Sequence, residues 1–341
     1  MKKKIHVLAT EPLPDGGEER LREVSDQVKL TVLPAKKPGE IPSSTWENVD
    51  VLYTWHVLPE PGQAPNLRWV QLKSAGVNRH LDHPLVQDEK VVLTSMSGVI
   101  TGQIAEYVLM ALLAFGQKLP QLLQNQKDHH WPDSAEKWGN FMPIELRYST
   151  VGILGYGSIG RQVARLLQPF GAQVLATKKD VMQPEDSGYT GEGMGDPHGD
   201  FFDRLYPIEA LHSFLKESDF VVVSLPLTAA THHILDAEAF TAMKESAYLV
   251  NVGRGGLIDE GALIQALEYK QIAGAALDVF EEEPLPKDSP LWDFKNVIIS
   301  PHISGISPHM QAETLDFFIE NINRYLAKLP LYNQVDLKQG Y

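Results

Sequence analysis

The chain has 341 residues, of which 43% are hydrophobic and 22% are charged, and its formal net charge at pH 7 is -14. This length predicts two domains, because single hydrophobic cores stop growing beyond about 250–300 residues. The acidic balance argues against a nucleic-acid or anionic-membrane partner, and the lack of cysteine excludes disulfides, thiolate catalysis and cysteine-ligated metal centres.

The first part of the chain alternates short apolar runs with polar or helix-compatible stretches. The apolar runs are IHVL (5–8), VKLTVL (28–33), VDVLYTW (49–55), LRWVQL (67–72) and VVLTS (91–95). Such alternation predicts a parallel α/β domain. The apolar run near the N-terminus is too short for a signal peptide, and the apolar stretch 104–115 is too short to cross a bilayer, so we expect a cytoplasmic protein with no membrane partner.

A long helix is predicted from Thr101 to about Lys118, and the alternation then restarts. Six further apolar runs follow: STVGILG (149–155), AQVLAT (172–177), DFVVVSL (219–225), AYLVNV (247–252), AGAALDV (273–279) and NVIIS (296–300). Near-continuous apolar strands are expected when helices cover both faces of a sheet. Asp236 and Asp259 stand where helix N-caps are expected. The sequence therefore predicts a second parallel sheet.

An amphipathic segment at 309–329 predicts a last helix that returns to the first domain. We therefore predict two doubly wound parallel-sheet domains. The first is a discontinuous flavodoxin-like domain made of residues 1–101 and 305–341, and it would bind the substrate. The second is a Rossmann cofactor domain, residues 102–304, inserted into the first.

The strongest local motif is G-x-G-x-x-G at Gly155, Gly157 and Gly160, which directly follows a predicted strand and directly precedes a predicted helix. The first glycine permits a tight turn, the second lets the backbone approach a pyrophosphate, and the third allows close helix–strand packing. The alternative is a strand-to-helix turn without a ligand. The context favours a dinucleotide site.

The next strand ends on Thr177, Lys178 and Lys179, where NAD-binding domains carry an acidic residue for the ribose hydroxyls. A basic residue there accommodates a 2′-phosphate, so the sequence favours NADP over NAD. The alternative is that both lysines simply solvate a strand end. Asp180 weakens the NADP interpretation, as does the acidic segment that follows.

That segment, roughly 182–207, is rich in glycine and carboxylates and has no hydrophobic period, which predicts a long irregular loop. We consider it a candidate lid over the adenosine end of a cofactor. Asp196, His198, Asp200 and Asp203 do not follow the spacing of a calcium loop, so we predict no metal site.

Three motifs carry reactive side chains just past the ends of predicted strands. VNVGRGG contains Arg254, DVFEEEPLP contains Glu281, Glu282 and Glu283, and SPHISG contains His302. Each has a plain alternative: a surface turn, a solvated charge run and a hydrogen-bonded loop histidine. Ligands of open α/β sheets gather at the carboxyl ends of the strands, so we expect these side chains near one ligand.

In this order, GYGSIG, VNVGRGG, ALDVFEEEPLP and SPHISG resemble the D-isomer-specific 2-hydroxyacid dehydrogenases, and most closely the glyoxylate/hydroxypyruvate reductases. The resemblance implies NAD(P)-dependent reduction of a small 2-oxo acid to the D-2-hydroxy acid. His302 would be the acid/base, Glu283 would orient it, and Arg254 would bind the substrate. A carboxylate beside an imidazole favours its protonated, proton-donating form.

The resemblance also implies ligand contacts elsewhere in the chain. Substrate contacts would come from Trp55, Ser74, Ala75, Gly76 and Val77. Besides the three glycines, cofactor contacts would come from Ser158, Ile159, Thr177, Lys178, Lys179, Pro226, Thr231, Val252, Gly253 and Asp278. It further implies a homodimer built on the helix after Thr101, in which Trp131 or Trp138 reaches the partner subunit. A non-enzymatic dinucleotide-sensing corepressor or scaffold on the same fold is the alternative function.

Overall fold

The computed structural model describes residues 4–186 and 188–341. The chain divides into two compact units. Unit 1 runs to Ile100 and resumes at Ser307, and unit 2 comprises Thr101–Ile306.

Within the described residues there are twelve strands and ten α-helices. The strands are β1 (Ile5–Ala9), β2 (Val28–Val32), β3 (Val51–Thr54), β4 (Trp69–Leu72), β5 (Val92–Thr94), β6 (Thr150–Leu154), β7 (Gln173–Thr177), β8 (Arg204–Tyr206), β9 (Phe220–Val223), β10 (Tyr248–Asn251), β11 (Gly274–Leu277) and β12 (Val297–Ile299). The helices are α1 (Gly17–Glu23), α2 (Ser43–Trp46), α3 (Thr101–Gly116), α4 (Leu119–Lys127), α5 (Ser134–Asn140), α6 (Ser158–Leu167), α7 (Leu211–Glu217), α8 (Ala237–Ala242), α9 (Glu260–Glu268) and α10 (Met310–Leu326).

Unit 1 is built on a parallel sheet with the strand order β2-β1-β3-β4-β5. This is the flavodoxin-like order. Strands β1, β3 and β4 are buried along their whole length, as expected for strands covered on both faces. Helix α10 covers one face, where the Phe318 ring stacks on Tyr53 with centroids 4.4 Å apart. Trp46, Leu52 and Val70 belong to the core cluster of this unit.

Unit 2 is built on a parallel sheet with the strand order β12-β11-β10-β9-β6-β7-β8. This is the Rossmann order extended by one strand, and the order reverses between β6 and β9. Because every strand runs in the same direction, all strand-to-helix loops leave the sheet at one edge. The predicted fold class, two doubly wound parallel α/β sheets, is confirmed.

Two of the predicted helix starts are confirmed by their hydrogen bonds. The Asp236 carboxylate accepts from the Ala239 amide at 2.9 Å, and the Asp259 carboxylate accepts from the Ala262 amide at 3.0 Å. An aspartate at this position satisfies an amide that has no partner within the helix. The two caps begin α8 and α9 on the carboxyl side of the sheet.

The structure differs from the sequence-based expectation at two places. The helix after Thr101 ends at Gly116, because Lys118 adopts a left-handed conformation with φ 58°, and α4 then begins at Leu119. The segment predicted as a loop over 182–207 contains β8, a short strand that pairs with β7. Three paired residues are too few to give a period in the sequence.

In the described part of the chain, we find no helix that combines the length and the apolar character needed to cross a bilayer. The same residues contain no group of three or more His, Asp or Glu side chains arranged to hold a metal ion.

Gly152, in the middle of β6, is closely packed by Ser218 and Phe214 and gives a test of unit 2 packing. A Cβ there would lie 2.2 Å from Ser218 Oγ and 2.7 Å from Phe214 Cζ. We expect Gly152→Ala to destabilise the protein by about 1–3 kcal/mol, since overpacking forces neighbours apart. A melting curve should show a fall of roughly 2–4 °C for each kcal/mol. Gly139→Ala in α5, where a Cβ meets nothing within 4 Å, is the control, and an equal effect of both would contradict this packing.

Candidate active site

The glycine turn between β6 and α6 has the geometry of an anion cradle. Gly155 adopts φ 106°, which L side chains rarely adopt, and its amide donates to Thr177 Oγ1 at 2.9 Å. A Cβ at Gly160 would lie 2.3 Å from the Gly155 carbonyl oxygen, whereas one at Gly157 would meet nothing within 4 Å. The backbone at Gly157 therefore borders open space at the N-terminus of a ten-residue helix. These residues fit the pyrophosphate of a dinucleotide.

The imidazole of His302 and the carboxylate of Glu283 form a direct pair. His302 Nδ1 lies 2.8 Å from Glu283 Oε2, and the other carboxylate oxygen of Glu283 accepts from the Phe280 amide at 3.2 Å. His302 follows β12 and Glu283 follows β11, two strands that are neighbours in the sheet. The His302 side chain is 49% exposed, so its ring is accessible from solvent.

A buried carboxylate, Asp278, holds the loop that carries His302. One oxygen accepts from Ser300 Oγ at 2.5 Å and from the Ile303 amide at 2.9 Å, and the other accepts from the Ser304 amide at 2.9 Å. The Asp278 carbonyl accepts from the His302 amide at 2.9 Å. These bonds fix a loop in which His302 has φ 53°, a conformation that costs energy for a non-glycine residue.

Tyr107 of α3 extends this network. Its hydroxyl lies 2.7 Å from Ser300 Oγ. Burial, together with the nearby Asp278 carboxylate, raises the pKa of Tyr107, although the hydrogen bond with Ser300 acts in the opposite direction. The tyrosine therefore stays protonated near neutral pH. No local pattern in the sequence points to Tyr107 or Ser300.

Arg254 follows β10, on a loop pressed against the one that carries Glu283. A Cβ at Gly255 would lie 1.9 Å from the Phe280 carbonyl group, so glycine is needed for this approach. The Arg254 guanidinium donates to the Gly253 carbonyl at 2.7 Å, and the side chain of Asn251 bonds to Gly253 and to Arg254 main-chain groups. The reactive side chains that follow β10, β11 and β12 thus lie at the same edge of one sheet.

Of the three consecutive glutamates, two accept hydrogen bonds from groups far away in the sequence. Glu283 pairs with His302, and the Glu281 carboxylate pairs with His233 Nε2 at 2.7 Å and accepts from the Glu260 amide at 3.2 Å. Burial, and the nearby carboxylates, raise the pKa of Glu260. The run is therefore more than a solvated charge cluster, because it joins three strand-end loops.

A comparison with known proteins identifies the family of this chain. A family model described as D-isomer specific 2-hydroxyacid dehydrogenase, NAD binding domain, matches residues 109–304. The chain belongs to this family. The family predicted from the sequence, and with it the NAD(P)-dependent oxidoreductase class, is confirmed.

Several proteins similar to this chain carry functional names. Glyoxylate reductase of Thermococcus gammatolerans is 32% identical over 89% of this chain and 87% of its own length. A D-isomer specific 2-hydroxyacid dehydrogenase from Xanthobacter autotrophicus Py2, solved with NADPH and MES, superposes with a TM-score of 0.80 at 28% identity, covering 99% of this chain and 100% of that one. The NADPH-dependent glyoxylate/hydroxypyruvate reductase of Sinorhizobium meliloti, solved with NADP and sulfate, gives a TM-score of 0.78 at 27% identity, with 99% and 100% coverage.

Several cofactor contacts that the family resemblance implies lie on loops after β9 and β10. The Thr231 hydroxyl donates to the Pro226 carbonyl at 2.7 Å, and the Val252 amide donates to the Val223 carbonyl at 3.2 Å. Ser158 and Ile159 open α6. Asp278 is fully buried, and its predicted contact with the nicotinamide stays a prediction.

At the end of β7, the two lysines differ in surroundings. Lys179 is exposed, whereas the Lys178 ammonium donates to the carbonyl oxygens of Gln183 and Glu185, the latter at 2.9 Å. Burial and the nearby Arg161 lower the pKa of Lys178, while nearby carboxylates act in the opposite direction. Lys178 is thus held in place by the segment that follows it.

In unit 1, the residues predicted to bind substrate follow β3 and β4. Trp55 is 42% exposed just after β3. After β4, the Ser74 hydroxyl donates to the Gly76 carbonyl at 2.8 Å, Ala75 is exposed, and the Val77 side chain is buried in the core. Their contact with a substrate stays a prediction.

Asp278→Asn tests the clamp on the histidine loop. The amide would turn a donor toward a backbone N–H or the Ser300 hydroxyl, and an unsatisfied buried group costs about 1–3 kcal/mol. We expect the melting temperature to fall by roughly 2–4 °C for each kcal/mol. Asp288→Asn, at an exposed position, should change it little. Equal melting temperatures for the two variants would contradict the clamp.

Proposed function

We propose that the protein reduces a small 2-oxo acid of the glyoxylate or hydroxypyruvate type to the D-2-hydroxy acid, with NADPH as the preferred coenzyme. The pairing of His302 with Glu283 is the observation that carries this proposal. It lies at the carboxyl edge of the sheet that also bears the glycine turn and Arg254. The coenzyme, when bound, supplies hydride to the carbonyl carbon.

His302 is the proposed proton donor. Its Nδ1 faces Glu283, so this nitrogen donates to the carboxylate and the opposite nitrogen, Nε2, is left to face a ligand. In the proposed step, His302 gives its Nε2 proton to the carbonyl oxygen as the alcohol forms, while Nδ1 keeps its contact with the Glu283 carboxylate. Glu283 also fixes the ring orientation, which a loop histidine would otherwise lack.

Arg254 is the proposed substrate anchor. A guanidinium binds a carboxylate or carbonyl bidentately, and the alkoxide character that develops in the transition state strengthens this contact. The dense packing of Gly255 against Phe280 keeps the Arg254 loop in register with the glutamate loop. In unit 1, we propose that the amides of residues 74–77 bind the substrate carboxylate.

The preference for NADPH rests on the end of β7. This strand ends without a carboxylate, at Thr177, Lys178 and Lys179. A carboxylate there would accept the ribose hydroxyls of NAD and repel a 2′-phosphate, whereas lysine attracts one. Two structurally similar proteins of the family were solved with NADPH or NADP, which supports the same preference.

An assay of glyoxylate and hydroxypyruvate reduction, measured as the decrease in NADPH absorbance, tests this function. A non-enzymatic dinucleotide sensor would show no such decrease. We expect His302→Ala to lower kcat by about 100- to 10,000-fold, because the acid is lost. Glu283→Gln should lower kcat by a smaller factor, because the His302 ring loses the carboxylate that orients it. His212→Ala, at an exposed position on α7, is the control. Full activity of His302→Ala would refute the assignment.

We propose that the protein forms a homodimer through an exposed apolar surface on α4, α5 and their connection. The surface consists of Leu119, Leu122, Leu123, Trp131 and Trp138. Trp131 and Trp138 are 84% and 74% exposed. Tryptophans this exposed on adjoining segments mark an interaction site, and a second copy of the chain is the proposed partner.

Light scattering after size-exclusion chromatography tests the dimer. We expect the wild type to run as a dimer and Leu123→Glu to run as a monomer, since an unpaired charge is costly in a buried interface. Tyr269→Glu introduces the same charge at an exposed aromatic on another surface and should remain dimeric. A dimeric Leu123→Glu variant would place the interface elsewhere.

A further inference from the structure

We propose that residues 181–203, the acidic segment, position the coenzyme-binding turn and Lys178, so that Tyr156, Arg161 and Asp196 set the preference for NADPH over NADH. The inference rests on the proposed function for the identity of the coenzyme. The segment contains six carboxylates and lacks lysine and arginine. It occupies the crossover between β7 and β8, where residues 181–186 and 188–203 form turns and bends.

Arg161 of α6 is the anchor of the acidic segment. Arg161 is 1% exposed, and its two terminal nitrogens donate to the carbonyl oxygens of Asp196 and Pro184, each at 2.5 Å. The Asp186 carboxylate lies 3.6 Å from Nε. A guanidinium can be buried when carbonyl and carboxylate groups surround it in this way. The segment supplies all three of these oxygens.

Asp196 is the second anchor, and it is also 1% exposed. Its carboxylate accepts from the Tyr156 hydroxyl at 2.6 Å and from the amides of Gly199, Asp200 and Phe201 at 2.8–3.0 Å. Burial acts to raise the pKa of Asp196, but these hydrogen bonds and the nearby guanidinium hold it below its ordinary value. The carboxylate therefore stays ionised at neutral pH and keeps its four acceptor contacts.

Tyr156 connects these anchors to the coenzyme-binding turn, because it stands between the first two glycines of the motif. Its amide donates to the Thr177 carbonyl at the end of β7 at 2.8 Å. Its ring lies under the Arg161 guanidinium, at 4.7 Å from the centroid, and meets Phe202 edge-on at 5.2 Å. Burial, and the hydrogen bond to Asp196, raise the pKa of Tyr156, so the phenol remains a donor. The turn and the segment are thus one packed assembly.

Lys178 is the point where the acidic segment meets the predicted ribose site. Two main-chain carbonyls of the segment, at Gln183 and Glu185, accept from its ammonium. Carbonyl groups orient an ammonium without cancelling its charge, so the lysine stays available to a 2′-phosphate. A loosened segment would release Lys178 and affect NADPH more than NADH, which has no 2′-phosphate.

The carboxylates of the segment are compatible with a 2′-phosphate near Lys178, because several of them accept hydrogen bonds or face a guanidinium within the protein. Asp186 accepts from the Gly188 amide at 3.1 Å and faces Arg161. Asp203 accepts from the Val174 amide at 2.7 Å. The acidic composition of the segment suggests that it would repel a phosphate. These contacts reduce that repulsion, because the carboxylates are directed at donors of the protein.

Direct binding of NADPH and of NADH, measured by nucleotide fluorescence without substrate, tests the inference. We expect Asp196→Asn and Tyr156→Phe to raise the Kd for NADPH by about 10-fold, the scale of one lost charge-assisted contact, and the Kd for NADH by less than about 3-fold. Lys178→Gln should reproduce this selective loss. Asp200→Asn, an equal charge change at an exposed position of the segment, should leave both Kd values unchanged.

Limited proteolysis measures the order of the acidic segment without the coenzyme. We expect faster cleavage within 181–203 in Asp196→Asn than in the wild type or Asp200→Asn. Tyr156→Phe removes one hydroxyl and covers the case in which Asp196→Asn fails to fold. Equal losses of NADPH and NADH affinity, or unchanged affinities, would overturn the inference even if the wild type reduces 2-oxo acids. Wild-type binding of NADPH without any reduction would instead overturn the proposed function alone.

Discussion

The parallel direction of all strands in unit 2 is the constraint on which the site depends. Parallel strands bring every strand-to-helix loop to one edge of the sheet, so residues from four separate motifs meet there without any local signal that joins them. The close approach of Gly255 to the Phe280 carbonyl then sets the distance between the Arg254 and Glu283 loops. A side chain at that glycine would separate the proposed anchor from the proposed proton relay.

Two buried carboxylates each order an irregular loop of unit 2. Asp278 collects donors from the loop of His302, and Asp196 collects donors from the acidic segment and from Tyr156. In both cases an irregular loop is ordered by backbone amides that point at one ionised group, because loops lack the repeating bonds of helices and strands. The placement of the proposed catalytic and coenzyme-binding groups thus depends on two buried carboxylates that order the loops carrying them.

Much of the fold could be predicted from the sequence, because the information was local. Apolar runs of strand length, the spacing of Gly155, Gly157 and Gly160, and the capping residues Asp236 and Asp259 each depend on neighbours within a few positions. The helix break at Lys118 and strand β8 were missed, since one left-handed residue and three paired residues leave no periodic signal. The family resemblance implied the pairing of Glu283 with His302, whereas nothing in the sequence pointed to the pairing of Glu281 with His233, because the two residues are far apart in the chain.

The sequence by itself determined the parallel α/β class, the glycine turn and the residue types that can carry proton transfer and anion binding, since period and spacing encode them directly. Tertiary structure alone decided that Glu281 pairs with His233, that Tyr107 and Ser300 support Asp278, and that a buried arginine holds the acidic segment. These partners are far apart in the chain. Their contacts follow from how the helices and loops pack on the sheet, and a single sequence does not record that packing.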